Sequence, residues 1–259
     1  MTGQRILYQV SGAKAAITLN RPEKRNAIDG LLIEELKSAL ADAKKNEAVK
    51  VVTIDAAGKD FCSGGDLAAL EKLRDAGVMA NMEDARDLAD LFIAMRRHPK
   101  LIIALVKGRA IAGGCGLATA CDLILTDETA QFGYPEVNIG FVPAMVMAIL
   151  RRSITEKRAL ELVCTGELIS ATHAQSIGLV NQVFPAGEFA VRASTYVDRL
   201  SAKSGSALTL TKSLLYHIDS VSFETALEAG VQVNGIARHT SDCQAGISQF
   251  LNPSKVSQI

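Results

Sequence analysis

Residues 108–122 form a glycine-rich stretch whose residue types could do chemistry. Gly113, Gly114 and Gly116 lie between an apolar, β-branched run and a small-residue run that is compatible with a helix. A strand that breaks at glycines and becomes a helix directs unpaired backbone N–H groups at one point, supported by the helix dipole. Such a point binds a phosphate, or an oxygen that becomes negative during a reaction.

Known phosphate-binding motifs fit this stretch poorly. Gly114-Cys115-Gly116 begins like the dinucleotide pattern G-x-G-x-x-G, but Thr119 occupies the third glycine position. A P-loop is excluded because no Gly-Lys-Ser/Thr follows. A third interpretation is that the glycines only let a helix and a strand pack closely.

A second glycine-rich loop, residues 57–66, favours the oxyanion interpretation. It follows the apolar run 49–54 and precedes helix-compatible residues, as the first loop does. One N–H from each loop, directed at the same oxygen, forms an oxyanion hole, and each preorganised donor contributes ~3–4 kcal/mol. For a thioester substrate that oxygen is the carbonyl, which becomes an enolate when the α-carbon loses its proton.

The elements that must position these loops indicate an α/β fold. Strand and helix patterns alternate through residues 1–185, which we predict to be the core domain, and residues 186–259 are predicted to be a helical region. We expect a turn at residues 131–136, helix caps at Asp29 and Ser170, and capping boxes beginning at Ser153 and Ser241. The predicted strands are 6–10, 15–19, 49–54, 101–106, 123–126 and 180–183, and the predicted helices of the core are 29–46, 67–74, 88–97, 143–152, 157–164 and 171–177.

Composition excludes several classes of protein. Lys plus Arg equals Asp plus Glu, at 28 each, and aromatic residues are only 5%, so neither a nucleic-acid module nor attraction to an anionic membrane is expected. We expect no signal peptide, because residues 1–7 lack a basic region followed by a long apolar one, and no apolar run is long enough to predict a membrane span. Five cysteines without a CxxC pair suggest neither a disulfide framework nor a zinc site, so we expect a cytoplasmic protein. The histidines are too scattered to predict a metal site: His98, His173, His217 and His239.

Four motifs, in order and with normal spacing, resemble the crotonase superfamily, the enoyl-CoA hydratase/isomerase family, over essentially the whole chain. The resemblance implies a spiral of ββα turns whose C-terminal helices form a homotrimer or a dimer of trimers. It also implies an acyl-CoA thioester substrate, with coenzyme A as part of that substrate and no tightly bound cofactor. The motifs are Asn20-Arg21-Pro22…Asn26-Ala27, Phe61-Cys62-Ser63-Gly64-Gly65-Asp66-Leu67, Gly108…Ala112-Gly113-Gly114-Cys115…Ala120-Cys121-Asp122 and Phe132-Gly133-Tyr134-Pro135-Glu136…Gly140-Phe141-Val142-Pro143.

The same resemblance implies roles for individual residues. The backbone N–H groups of Ser63 and Gly113 are expected to form the oxyanion hole, and Glu136 to transfer the proton. Coenzyme A is expected to bind in a bent form near the 20–27 and 61–66 loops, where basic side chains supply the charge that a neutral chain needs for phosphates. The residues expected to bind it are Lys24, Arg25, Ala27, Ser63, Gly64, Gly65 and Asp66.

Glu136 is the candidate acid–base residue, because it lies between apolar segments where desolvation raises the pKa of a carboxyl group. Hydratases of the family use two glutamates; Glu136 is at the position of the second, and the position of the first is Gly116 here. Moving a double bond from Δ3 to Δ2 needs only one base, so the single glutamate favours an isomerase. Hydration is the next alternative, because residues 130–136 look more like hydratases, and a non-catalytic acyl-CoA-binding protein is the third.

Other groups are weaker candidates. Asp66 and Asp122 are predicted to be structural, as caps or loop ties. A thioesterase nucleophile at Cys62 or Ser63 is disfavoured because Phe61 stands where the G-x-S-x-G elbow needs a glycine. Residues 144–147 are bulkier than the glycine-rich segment that the family often has there, which predicts a tighter pocket wall.

Overall fold

A six-stranded sheet runs through the structure, a computed structural model that describes residues 4–72 and 75–252. Its first two strands are antiparallel, and every other neighbouring pair is parallel. In spatial order the strands are β1 (Ile6–Ser11), β2 (Lys14–Leu19), β3 (Val51–Ala56), β4 (Leu101–Val106), β6 (Leu123–Asp127) and β9 (Gln182–Phe184).

A smaller sheet contains β5 (Arg109–Ile111), β7 (Gln131–Gly133) and β8 (Ile169–Ser170). Successive turns of the chain place one strand in each sheet and then a helix, as in β4, β5 and the helix that follows. The predicted turn at residues 131–136 is therefore wrong for its first half, which is β7. A three-residue strand is too short to produce a periodic pattern, and pairing with β5 and β8 defines it.

Helices cover both faces of the larger sheet. The core helices agree with the predicted ones to within a few residues, except that α3 begins well before residue 88. Its buried side chains all lie in its last two turns, at Leu91, Phe92 and Met95, whereas the large apolar side chains of its first half, Val78, Met79 and Met82, are exposed. The last two residues of the predicted helix 67–74 lie outside the described residues. The helices are α1 (Gly30–Lys45), α2 (Leu67–Lys72), α3 (Gly77–Arg96), α4 (Gly113–Ala120), α5 (Ala144–Ser153), α6 (Glu156–Thr165), α7 (Ala171–Ser176), α8 (Phe189–Ser201), α9 (Gly205–His217), α10 (Phe223–Arg238) and α11 (Ser241–Leu251).

The strands β3, β4 and β6 are buried on both faces, which explains their continuous apolar sequences. One set of side chains joins the main core with α1, α3 and α4. The opposite set packs against α8, in a smaller cluster formed by Val51, Ile103, Leu125, Phe184, Phe189, Ala193 and Val197. Since α8 covers the sheet, the predicted division between residues 185 and 186 stays a prediction.

Two of the predicted helix caps are confirmed. The Asp29 carboxylate accepts a hydrogen bond from the Leu32 N–H at 2.9 Å, and the Ser170 hydroxyl accepts one from the His173 N–H at 3.2 Å. Both bonds satisfy donors at a helix start that would otherwise be unpaired.

Both predicted capping boxes are wrong. Ser153 is the last residue of α5, and its hydroxyl donates to the Ile149 carbonyl at 3.0 Å. Ser241 is the first residue of α11, and the preceding Thr240 accepts from the Cys243 N–H at 3.3 Å. The capping pattern marks the region of a helix start but does not fix the register when several hydroxyl residues are adjacent.

The last three helices present a largely uncovered surface. In the part of the chain that the structure describes, Lys212 is the one buried side chain of α9–α11. Large apolar side chains on these helices are exposed, namely Leu215, Phe223, Leu227, Val231, Ile236, Ile247, Phe250 and Leu251.

Candidate functional site

The two glycine-rich loops, far apart in sequence, are joined through Cys62. The Cys62 N–H donates to the Arg109 carbonyl at 3.1 Å, and the Ile111 N–H donates to the Cys62 carbonyl at 2.9 Å. Gly114 makes this approach possible, since a Cβ there would lie 2.3 Å from the Cys62 carbonyl oxygen.

Ala112 holds the first turn of α4 in a strained conformation. It has φ of 53° and ψ of −130°, a region that a residue with a Cβ rarely adopts and that costs about 1–3 kcal/mol. The hydrogen bond from its N–H to the Gly133 carbonyl, at 2.8 Å, fixes this turn against the end of β7. Because ψ of Ala112 sets the orientation of the next peptide, the strain determines where the Gly113 N–H points.

The structure corrects the expected partner of Gly113. The Ser63 N–H donates to the Arg25 carbonyl at 3.0 Å, so it is not available to a substrate oxygen. The Gly65 nitrogen lies 3.7 Å from the position that a Cβ on Gly113 would occupy. Within the described residues, neither the Gly65 nor the Gly113 N–H has a hydrogen-bond acceptor. The two free donors that lie together are therefore those of Gly65 and Gly113.

Glu136 lies in a short 3-10 helix, Pro135–Ile139, that continues from β7. The residue is only 8% exposed, and its Oε2 is buried without a hydrogen-bond partner among the described residues. Burial raises the pKa of this carboxyl group above its usual value, as general acid–base catalysis near neutral pH requires.

The Glu136 carboxylate faces the first turns of α4. Burial raises the pKa of the Cys115 thiol to about 11, and the negative charge of Glu136 contributes to that rise. Burial also raises the pKa of the Tyr134 hydroxyl, and the charge of Glu136 adds to that rise. This hydroxyl lies 2.9 Å from the Thr119 hydroxyl. The carboxyl group, the thiol and the two hydroxyls thus share one enclosed region.

Gly116, where family hydratases carry their first glutamate, faces a filled space. A Cβ on Gly116 would lie 2.1 Å from Cγ1 of Val146 and 3.6 Å from Cζ of Phe92. Val146 comes from α5 and Phe92 from α3, and both side chains are buried. Val146 belongs to the bulky segment 144–147, and it is the member of that segment that contacts Gly116.

The loop at residues 20–27 is locked onto the 57–62 loop by Asn26. Its side-chain oxygen accepts from the Arg21 N–H at 2.8 Å, and its amide donates to the carbonyls of Ala57 and Asp60, each at 2.9 Å. These bonds hold Asn26 at a φ of 54°, a left-handed conformation that asparagine tolerates better than most residues.

The basic residues expected to meet phosphates lie on the outside of this loop. Lys24 and Arg25 are both exposed, whereas the neighbouring Ala27 is buried. The positive charge of Lys24 reaches Asp66, where it helps to lower the pKa of that carboxyl group. The predicted cations therefore lie at the exposed side of the second glycine loop, where the Arg25 carbonyl accepts the hydrogen bond from the Ser63 N–H. Gly64 of that loop packs against Ala112 of the first loop.

Asp66 is engaged within the chain. Burial tends to raise its pKa, but hydrogen bonds from Arg21, at 2.7 Å, and from the Ala68 N–H, at 3.0 Å, lower it overall. Its carboxylate ties the second glycine loop to the 20–27 loop, the structural role predicted for it.

Asp122 is also structural, as predicted. Its carboxylate accepts hydrogen bonds from the Ile102 N–H, the Lys212 ammonium and the Tyr216 hydroxyl, each at 2.7 Å. These bonds attach α9 to the C-terminal end of α4.

Cys62 is unsuited to nucleophilic catalysis. Burial raises the pKa of its thiol to about 12, and the thiol donates to the Asn26 carbonyl with a sulfur–oxygen distance of 3.0 Å. A protonated, enclosed thiol is not a nucleophile at neutral pH.

Metal sites, membrane-spanning helices and other cavities are further features that could indicate a function. Over residues 4–72 and 75–252, no cluster of His, Cys, Asp and Glu could hold a metal ion, and no helix is long and apolar enough to cross a membrane. A cavity of about 230 Å³ lies at the opposite end of α4, around Cys121 and Asp122, and one of about 450 Å³ lies between Glu47 and Gly205. Neither is lined by Glu136.

Comparison with known proteins places this geometry in a family. Residues 10–257 match the family model described as enoyl-CoA hydratase/isomerase. A putative enoyl-CoA hydratase of Thermus thermophilus is 38% identical, over 92% of this chain and 94% of the relative. The 2,3-dehydroadipyl-CoA hydratase of Escherichia coli is 32% identical, over 91% of each chain. The crystal structure of human enoyl-CoA hydratase domain-containing protein 3 superposes with a TM-score of 0.91 at 28% identity, covering 96% of this chain and 98% of that one.

The chain therefore belongs to the enoyl-CoA hydratase/isomerase family, an enzyme family that acts on enoyl-CoA thioesters. The predicted fold class is confirmed: an α/β crotonase-type fold with a helical C-terminal region. The sequence analysis named Gly65 as a residue that binds coenzyme A but missed its free N–H beside Gly113, because no local pattern shows which N–H groups of a glycine-rich loop are already bonded.

Proposed function

We propose that this protein moves the double bond of an enoyl-CoA thioester from Δ3 to Δ2. The Glu136 carboxylate removes a proton from C2, and the electron pair moves through the thioester carbonyl to form an enolate. The same carboxyl group returns the proton at C4. The N–H groups of Gly65 and Gly113 bind the enolate oxygen, where two preorganised donors contribute ~3–4 kcal/mol each.

The observation that carries this proposal is the buried Glu136 Oε2, which has no hydrogen-bond partner among the described residues. A buried polar group without a partner is destabilising, so an unpaired carboxylate oxygen is typical of a functional site. Its environment supports a single-base reaction, because Val146 and Phe92 fill the space beside Gly116.

We propose that coenzyme A enters as part of the substrate and that no other cofactor takes part. Exposed Lys24 and Arg25 would meet its phosphates, and Ala27, Ser63 and Gly64 would line its path to the thioester. Gly65 then has two roles, since its N–H contacts the thioester oxygen. Asp66 would act by holding the loop, because Arg21 already occupies its carboxylate.

The test compares the parent protein with Glu136→Gln on 3-enoyl-CoA and 2-enoyl-CoA substrates. We expect Glu136→Gln to lower isomerisation by about 10²–10⁴-fold, because glutamine cannot accept the proton. Glu34→Gln, which changes an exposed carboxylate on α1, is the matched control. Isomerisation that is equally fast in Glu136→Gln would contradict the mechanism.

Hydration of 2-enoyl-CoA is the second candidate, and the names of the similar proteins favour it. In that reaction the oxygen of water bonds to the β-carbon and a proton goes to the α-carbon. Analysis of the products by mass separates a hydrated thioester from an isomerised one. Binding of CoA thioesters without turnover of either substrate would instead identify a non-catalytic binding protein.

The exposed apolar side chains of α9–α11 support assembly through the C-terminal helices, as a homotrimer or a dimer of trimers. Light scattering of the purified protein measures this state directly. A monomer at micromolar concentration would contradict it. We also retain the cytoplasm as the proposed location.

A further inference from the structure

We infer that Val146 determines which reaction this site performs, by occupying the volume that a second acid–base side chain would need. The inference rests on the proposed single-base function, and it names the residue that excludes the competing reaction. Val146 is then a specificity-determining residue.

The contact between Val146 and Gly116 leaves no room for a side chain at position 116 unless a neighbouring atom moves. A Cβ there would lie 2.1 Å from Cγ1 and 3.2 Å from Cβ of Val146. Real Cβ atoms do not approach other carbon atoms to 2.1 Å, so even an alanine would require the Val146 side chain to move or α5 to shift away from α4.

The first turns of α4, which carry Gly116, lie near the acid–base residue. The Thr119 hydroxyl of α4 is 2.9 Å from the hydroxyl of Tyr134, two residues before Glu136. Gly116 follows Cys115, whose thiol responds to the charge of Glu136. Val146 is 4% exposed and Phe92 is 6% exposed, so apolar atoms from α5 and α3 enclose this side of the site. A water molecule needs two to four polar partners to be held in such a place, and valine and phenylalanine side chains supply none.

The two reactions differ in their need for that water. Hydration breaks an O–H bond of water and the π bond between the α- and β-carbons, and it forms a C–O bond at the β-carbon and a C–H bond at the α-carbon. Isomerisation moves one proton from C2 to C4 and adds no atoms. An apolar wall where a second carboxyl group would hold water therefore favours isomerisation.

The test restores the carboxylate and removes the wall. In Gly116→Glu combined with Val146→Ala, we expect the ratio of hydration to isomerisation to rise by about tenfold or more, since a second acid–base group can contribute 10²–10⁴-fold. Gly116→Gln with Val146→Ala is the matched control, because it has the same shape without a carboxylate and should not gain hydration. Gly116→Glu alone should not gain hydration and should unfold at a lower temperature.

Alanine variants test the packing without a new acidic group. Gly116→Ala should lower the Tm by several degrees in the parent, and by less when Val146→Ala is also present. If the glutamate variants do not fold, the product ratio of Val146→Ala decides. An unchanged ratio in that variant overturns the inference, and any rise supports it.

The outcomes separate the inference from the proposed function. Glu136→Gln that retains parent activity contradicts the proposed function. A folded, Glu136-dependent Gly116→Glu, Val146→Ala variant with an unchanged product ratio contradicts the role of Val146 alone. A parent protein that hydrates faster than it isomerises contradicts both the proposed isomerisation and the role of Val146, because Val146 would not then exclude water.

Discussion

Two carboxylates with little exposure lie near opposite ends of α4, and they differ in how many hydrogen bonds they accept. Near the first turn of α4, Glu136 leaves one oxygen without a partner. Just beyond its last residue, Asp122 accepts hydrogen bonds from Lys212, Tyr216 and the Ile102 N–H. The Asp122 carboxylate is fully hydrogen-bonded and attaches α9 to the core, whereas the Glu136 carboxylate has an oxygen that can still accept a hydrogen bond or a proton. The difference separates a structural carboxylate from one suited to proton transfer.

The largest expected effect on stability comes from the fully hydrogen-bonded carboxylate. Asp122→Asn leaves the Lys212 ammonium, whose side chain is only 4% exposed, without its carboxylate partner. Breaking such a buried pair destabilises a protein by about 3–5 kcal/mol, and urea unfolding measures the change.

Asp122→Asn combined with Lys212→Met is the control for this effect. Removing both charges should recover part of the lost stability, because no unpaired ion then remains. Equal stability of Asp122→Asn and the parent would show that the Asp122 carboxylate has no structural role that distinguishes it from Glu136.

An intermediate effect is expected at the first turn of α4, where adjacent glycines differ. A Cβ at Gly114 would lie 2.3 Å from the Cys62 carbonyl oxygen, whereas a Cβ at Gly113 meets nothing nearer than 3.7 Å. We expect Gly114→Ala to destabilise the protein by about 1–3 kcal/mol, and Gly113→Ala by less than about 1 kcal/mol. Urea midpoints of the two variants measure the difference, and equal values would show that the loops are not held as closely as the structure has them.

The smallest effect is expected from Glu136→Gln, and it depends on pH. Because the folded-state pKa of Glu136 is raised, the protonated form favours the folded state, and the stability that this provides is lost as pH rises through the folded-state pKa. Glutamine stays neutral, so the variant should gain relative to the parent above about pH 4.5, by less than about 2 kcal/mol.

Urea midpoints of parent and Glu136→Gln at about pH 4 and pH 8 measure this change. The other carboxyl groups titrate in both proteins and cancel in the difference. A difference that shrinks as pH rises would mean that the site stabilises the ionised form.

The main strands and the caps at Asp29 and Ser170 were predictable because they follow from local patterns. The start of α3 was missed although Val78, Met79 and Met82 stand at helical spacing, and in the structure these side chains are exposed. Strand β7 was missed because three residues carry no period, and tertiary pairing defines it.

The candidate site was predictable in part. The glycine loops and Glu136 could be found from residue types and motif order. That the Ser63 N–H is bonded to Arg25 while the Gly65 N–H stays free depends on the approach of the 20–27 loop, which no spacing in the sequence reveals. The contact of Val146 with Gly116 likewise depends on how α5 packs on α4.

The central claim is that one buried carboxyl group, Glu136, carries a proton from C2 to C4 of the substrate. The most direct measurement follows a 3-enoyl-CoA that is deuterated at C2 and locates the deuterium in the product by nuclear magnetic resonance. Because the carboxyl group is shielded from water, the account predicts a 2-enoyl-CoA with deuterium at C4, and loss of this product in Glu136→Gln. A 3-hydroxyacyl-CoA product, or a 2-enoyl-CoA without deuterium at C4, would contradict it.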